Sequence, residues 1–263
     1  MSEFGIDVER RDDGVAWLVL RNPGRLNAVR LEMWEALPDA VGALADDPAV
    51  RVVVLRGHGD EAFASGADIS EFATHRKDVG SAAAYEAVTA RAFAAIVECP
   101  KPVVAMLQGV CIGGGLAIAV SADLRVAADD TKLALPPARL GIGYHLAGVE
   151  RVVQLVGPSA AAEMFFTARQ YTAEEALRIG LVNRVVPKHE LVATTERYVT
   201  DIAANAPLTI RAAKRAIAEA QRDAATRDVA AVERLIAECF RSADYAEGVR
   251  AFLEKRRPRF VGR

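Results

Sequence analysis

Two stretches of this sequence set glycine and small residues where backbone amides can do chemistry. The first, residues 101–124, reads KPVVAMLQGVCIGGGLAIAVSADL. Its apolar, β-branched start over residues 102–107 predicts a buried strand, and the alanine-rich residues 116–122 predict a helix. Between them stand Gly113, Gly114 and Gly115. A strand that turns through glycines into a helix leaves unpaired N–H groups at the helix N-terminus, where the dipole favours negative charge. Glycine also lets another molecule approach the backbone closely. No Lys-Ser/Thr follows the glycines, so this is not a P-loop, and the spacing is wrong for a dinucleotide fingerprint. Read alone, the three glycines point to tight strand–helix packing ahead of anion binding. The second stretch, AFASGADISEF over residues 62–72, crowds small residues around Gly66. It sets Asp68 three residues before Glu71, the pattern of a helix start. Cys111 beside the glycines raises the question of a nucleophile, and a small buried thiol is the preferred reading.

Length and composition bound what can hold these stretches. The chain has 263 residues, 52% of them hydrophobic, enough for one large domain or one domain with an appendage. A net charge of −2 gives no sign of a nucleic-acid-binding surface. The apolar runs are too short and too interrupted for a membrane span. Residues 1–10, MSEFGIDVER, contain acids and no apolar signal region, so no export is expected. Cys99, Cys111 and Cys239 are scattered and odd in number, which argues against a disulfide framework or a zinc site and fits a reducing cytoplasm.

Strands are predicted at 15–20, 50–55, 124–127, 132–135 and 182–186. A helix over 30–44 carries Leu31, Trp34, Leu37, Val41 and Leu44 at helical spacing. Residues 76–80 read as a polar loop before a helix at 81–97, and residues 138–148 as a loop entered through Pro136-Pro137. Further helices are expected at 148–155, 159–167, 173–179, 189–204, 207–222, 224–240 and 242–254. The alternation of strand and helix to residue 186 indicates α/β, and the helical end an appended layer. The domain organisation expected is a core at 1–205 and a helical region at 206–263.

Four segments, FASGADISEF, QGVCIGGGLAIA, TAEEALRIGLVNRVV and AEGVRAFLEKRRPRF, together resemble the enoyl-CoA hydratase/isomerase (crotonase) superfamily. The resemblance runs from about residue 6 to 263. It implies a spiral of ββα turns with a C-terminal helical trimerisation region, acyl-CoA thioester substrates, and a homotrimer or dimer of trimers. It implies no cofactor beyond the coenzyme A that is part of the substrate. The two N–H groups that would hold the thioester oxygen as an oxyanion match Ala67 and Gly114. The backbone around Arg25, Leu26, Ala28, Ser65, Asp68 and Ile69 is implied to contact coenzyme A. Phe252 and Lys255 match tail positions that reach the nucleotide end, in many members from a neighbouring subunit.

This sequence departs from the hydratases of that superfamily at both glutamates. The first position, two residues past the glycine triplet, is Ala117; the second, in the next loop, is Pro137. Neither residue transfers a proton, so ordinary hydration is doubted. Asp68, Glu71 and Glu150 are the carboxylates considered as substitutes, Asp68 being read as a helix cap and Glu150 as part of an exposed helical face. Among His58, His75, His145 and His189, only His145 falls in the aligned catalytic loop, where some isomerases carry an acidic base. An imidazole titrates near neutrality and suits shuttling an α-proton. Tyr144 matches a tyrosine of methylmalonyl-CoA decarboxylase-like members, whose histidine at the position of Ala67 is missing here. The expectation is a decarboxylase that protonates an enolate from Tyr144 or His145, followed by an isomerase with His145 as base. The rivals are a non-catalytic acyl-CoA carrier and a true hydratase using other carboxylates.

Overall fold

The protein is described by a computed structural model over residues 3–263. Strands β1 (Gly5–Arg10) and β2 (Val15–Arg21) form an antiparallel pair, and helix α1 (Leu31–Asp46) follows. Three successive turns then share one plan. In the first, β3 (Val52–Gly57) and the three-residue β4 (Ala62–Ala64) lead to the single-turn α2 (Phe72–His75) and the long α3 (Val79–Glu98). In the second, β5 (Val103–Leu107) and β6 (Val110–Ile112) lead to α4 (Gly114–Ser121). In the third, β7 (Leu124–Ala128) and β8 (Lys132–Ala134) lead to α5 (Pro137–Leu140) and α6 (Leu146–Thr167).

The first strand of each turn joins a six-stranded sheet in the order β1-β2-β3-β5-β7-β10, and the second joins a four-stranded sheet in the order β4-β6-β8-β9. β9 (Tyr171–Thr172), α7 (Ala173–Arg178) and β10 (Arg184–Val186) complete the two sheets. α8 (Leu191–Ala203), α9 (Pro207–Ala220), α10 (Val229–Arg241) and α11 (Ala243–Leu253) close the chain. This is the spiral of ββα turns that the family resemblance implies.

The side-chain alternation of the central strands explains their near-continuous apolar runs. Ala16, Leu18, Leu20, Val53, Leu55, Val103, Ala105 and Leu107 point into the main core with α1 and α4. Val15, Trp17, Val52, Val54, Val104 and Met106 point the other way, onto α8. Residues 5–10, whose charges hide any strand period, form an edge strand. Glu9 and Arg10 are exposed, as befits an edge, and Asp7 is half-buried. The two predicted helices at 148–155 and 159–167 begin earlier and run together across a non-helical Gly157. The helix expected at 224–240 starts only at Val229, because the Asp228 carboxylate accepts the Ala231 N–H at 2.9 Å and caps it there.

Candidate active site

Each glycine of the triplet has its own physical reason. Gly113 sits at φ 55°, a left-handed turn that a side chain would strain. Gly115 lets α4 lie on β4, since a Cβ there would come within 2.3 Å of the Ala64 carbonyl oxygen. Gly114 opens the helix, and its N–H meets no acceptor among the described residues. Ala67 has a matching arrangement. The Val29 N–H donates to the Gly66 carbonyl at 2.7 Å, and the Asp68 N–H donates to the Val29 carbonyl at 3.0 Å. Alternation along this extended backbone turns the intervening Ala67 N–H away from Val29, and it too meets no acceptor among the described residues. The two amides are neighbours: a Cβ on Gly114 would lie 3.3 Å from the Ala67 nitrogen. Both readings of the glycines therefore hold at once, packing at Gly115 and an open donor at Gly114.

Two guanidiniums hold the far end of α4. Arg125, 1% exposed, donates to the carbonyls of Leu181 at 2.7 Å and Ala122 at 2.8 Å. Burial pushes its pKa down to about 10. Arg151 donates to the Val120 carbonyl at 2.8 Å. Positive charge is thus set against the negative end of the helix dipole, while the positive end is left free for a ligand.

The two free amides open on a cavity of about 1040 Å³. Its walls come from α3, from residues 135–145 and from α6, with Ile210, Lys214 and Ile217 of α9 at one side. Tyr144 packs its ring on Phe165 at a centroid distance of 5.1 Å and fills the space that a side chain at Gly148 would need. Burial, and secondarily the Glu86 charge, push its hydroxyl up to about 12, so it holds its proton at neutral pH. His145 lies at the mouth and precedes the first turn of α6. Its Nε2 is 3.6 Å from Oε2 of Glu86, whose Oε1 is 2.5 Å from Nη2 of Arg76. The Arg76 guanidinium in turn stacks over the rings of Phe72 and Tyr85 at 4.6 and 4.3 Å.

The sequence model of the family described as enoyl-CoA hydratase/isomerase matches residues 10–263. The chain belongs to this family. A crotonyl-CoA hydratase of Syntrophomonas wolfei is 34% identical over 253 residues, 96% of each chain. A carnitinyl-CoA dehydratase of Salmonella enteritidis is 34% identical over 260 residues, covering 96% of this chain and 97% of the relative. The crystal structure of an enoyl-CoA hydratase/carnithine racemase from Magnetospirillum magneticum has a TM-score of 0.92 to this chain at 35% identity, covering 100% of this chain and 97% of that one.

Within this member of the enoyl-CoA hydratase/isomerase family, the sequence-derived residues fall into three groups. Ser65, Ala67, Ile69, Gly114, Tyr144 and His145 line the one cavity. Arg25, Leu26, Ala28 and Asp68 adjoin it without lining it. Leu26 is held at φ 49°, the Ser65 N–H donates to its carbonyl at 3.0 Å, and Arg25 reaches Asp68 at 3.5 Å. Phe252 and Lys255, near the end of α11, stand apart from the lining and are exposed on the single chain.

Ala117 and Pro137 also border the cavity. Of the substitute carboxylates, Asp68 is buried and accepts the Ser70 N–H at 3.1 Å, acting as a cap. Glu71 is buried and bound to Arg30 and the Leu31 N–H. Glu150 is exposed at the cavity. The carboxylate that sequence reasoning missed is Glu86, which faces the cavity between Arg76 and His145. Nothing in its own helix, VGSAAAYEAVTARAFAAIVE, marks it out. Cys111 is fully buried with its thiol pushed up by burial, which fits a packing role.

Proposed function

We propose that this protein processes acyl-CoA thioesters through an enolate, by decarboxylation of a malonyl-type thioester. One observation carries the reading: two uncommitted N–H groups share a cavity with a protonated tyrosine, and no carboxylate stands at positions 117 and 137. The Ala67 and Gly114 amides accept the thioester oxygen as charge develops, and each such donor is typically worth roughly 3–4 kcal/mol of barrier. The bond from the α-carbon to the carboxylate breaks, CO₂ leaves, and its electron pair enters the enolate. The Tyr144 hydroxyl then gives its proton to the α-carbon, and solvent restores the phenol. No step needs an activated water. Coenzyme A would run past Arg25, Leu26, Ala28, Ser65, Asp68 and Ile69.

A second reading, double-bond isomerisation with His145 as base, is favoured by the carboxylate of Glu86 beside that imidazole. Self-association as a trimer or dimer of trimers belongs to the same proposal. It is supported by α10, which buries no residue on the single chain, and by Phe240 and Phe252, which are 64% and 84% exposed. In a trimer Phe252 and Lys255 would meet a neighbour's coenzyme A.

The test is one incubation series of the purified protein with crotonyl-CoA, a 3-enoyl-CoA and methylmalonyl-CoA, read by mass. Loss of the mass of CO₂ is expected. Gain of the mass of water would establish a hydratase instead. A shifted double bond at unchanged mass would select the isomerase. Binding without turnover of any of the three would make the protein a carrier.

A further inference from the structure

The cavity holds a charged array away from the family's glutamate positions, and its geometry deepens the reading of His145 as a base. We propose that Arg76, Glu86 and His145 form an acid–base relay able to take an α-proton from an acyl-CoA thioester, with Glu86 as its positioning residue. The proposal rests on the enolate reading above.

Three elements meet to build the array. Arg76 follows α2 and is fixed by stacking between Phe72 and Tyr85. It takes one oxygen of Glu86, and both side chains are largely buried, 15% and 25% exposed. The other oxygen of Glu86 faces His145 Nε2 at 3.6 Å, just beyond hydrogen-bond length, on an imidazole that is 70% exposed at the mouth. Catalytic contacts of this kind commonly tighten when substrate binds; once Nε2–H closes on the carboxylate the tautomer is set, and Nδ1 is the nitrogen left with a lone pair. This is the logic by which a carboxylate orients a histidine base elsewhere. Arg76 neutralises Glu86 in the resting site, which keeps the pair tolerable inside the fold.

The step balances without a further reactant. The Nδ1 lone pair takes the α-proton, the C–H electron pair forms the enolate double bond, and the oxygen charge rests on the Ala67 and Gly114 amides. The imidazolium faces Glu86 until it returns the proton to carbon. Return to the α-carbon is exchange; return to the γ-carbon of an unsaturated chain is isomerisation.

The experiment uses butyryl-CoA in D₂O with the full-length protein, reading deuterium gained at the α-carbon. Wild type should exchange. His145→Ala and the isosteric Glu86→Gln should each lower the exchange rate constant by roughly 10²-fold, within the range for a lost acid–base group. Butyryl-CoA affinity should stay near wild type in both, and the thermal midpoint in His145→Ala; Glu86→Gln leaves Arg76 unpaired and lowers the midpoint, so exchange is read well below it. The double variant should be no slower than His145→Ala alone, since Glu86 acts through the imidazole. Multiplying losses, or a Glu86→Gln variant that exchanges like wild type, would overturn the relay and leave the enolate reading standing. A wild type that binds butyryl-CoA, exchanges nothing and turns over no thioester would overturn both. Decarboxylation with no exchange would overturn the relay alone.

Discussion

Gly115→Ala should disable the site by moving two amides apart while leaving every polar side chain in place. The added Cβ would lie 2.3 Å from the Ala64 carbonyl oxygen and 2.8 Å from the Ala64 Cβ, against 3.4 Å or more in an ordinary contact. Both neighbours belong to β4, paired in its sheet with β6, so no flexible side chain can yield. The helix start must therefore back away by about 1 Å, and Gly114 moves with it relative to Ala67. A displacement of about 1 Å typically costs on the order of 10²-fold in rate. The strain itself should cost about 1–3 kcal/mol of stability. Gly42→Ala is the control, an exposed glycine inside α1 with nothing within 4 Å of a new Cβ. It should gain up to about 1 kcal/mol from helix propensity. The assay pairs denaturant unfolding with turnover of the thioester that the wild type accepts. Gly115→Ala at wild-type stability and rate would refute the claim that α4 is pressed against β4 to place its first amide.

Two further perturbations probe the site and its support. Tyr144→Phe should lower turnover by roughly 10²–10⁴-fold while binding persists. The same hydroxyl keeps its proton to about pH 12 in the fold, against an ordinary value of 10.0, so its contribution to stability is whole below about pH 10 and is lost as pH rises toward 12. Wild type should therefore lose stability relative to Tyr144→Phe across that interval, and a flat difference in unfolding free energy would contradict it. Arg125→Met should cost about 1–3 kcal/mol, because the Leu181 carbonyl loses its buried donor while Ala122 keeps only Arg151. A denaturation midpoint near wild type would show that the Leu181 carbonyl finds another partner.

Much of this architecture is legible in the chain because its causes are local. The strand at 103–107 is apolar on both faces, and α1 repeats its buried Trp34, Leu37, Val41 and Leu44 at the period of a helix. The glycines before α4 and the small residues around Gly66 mark the two helix starts. What escaped is short or half-exposed. β4 and β6, three residues each, are too brief to show a period, and β1 mixes apolar residues with exposed charge at a sheet edge. The loop read over residues 138–148 hides the first turn of α6, which His145 precedes without a side-chain cap.

By itself the sequence determined the α/β alternation and the motifs that resemble the family, and with that resemblance the spiral and the candidate amides and tyrosine it implies. Each of these is written in contiguous residues and their order. Only the tertiary structure decided which of those amides stay unpaired, because that depends on Val29 taking the neighbours of Ala67 and on β4 stopping α4 at Gly115. It alone brought Glu86 to His145, two residues from elements far apart in the chain whose side chains carry no local sign of one another. Local order chooses the elements, and packing of their faces chooses which polar groups are left to act.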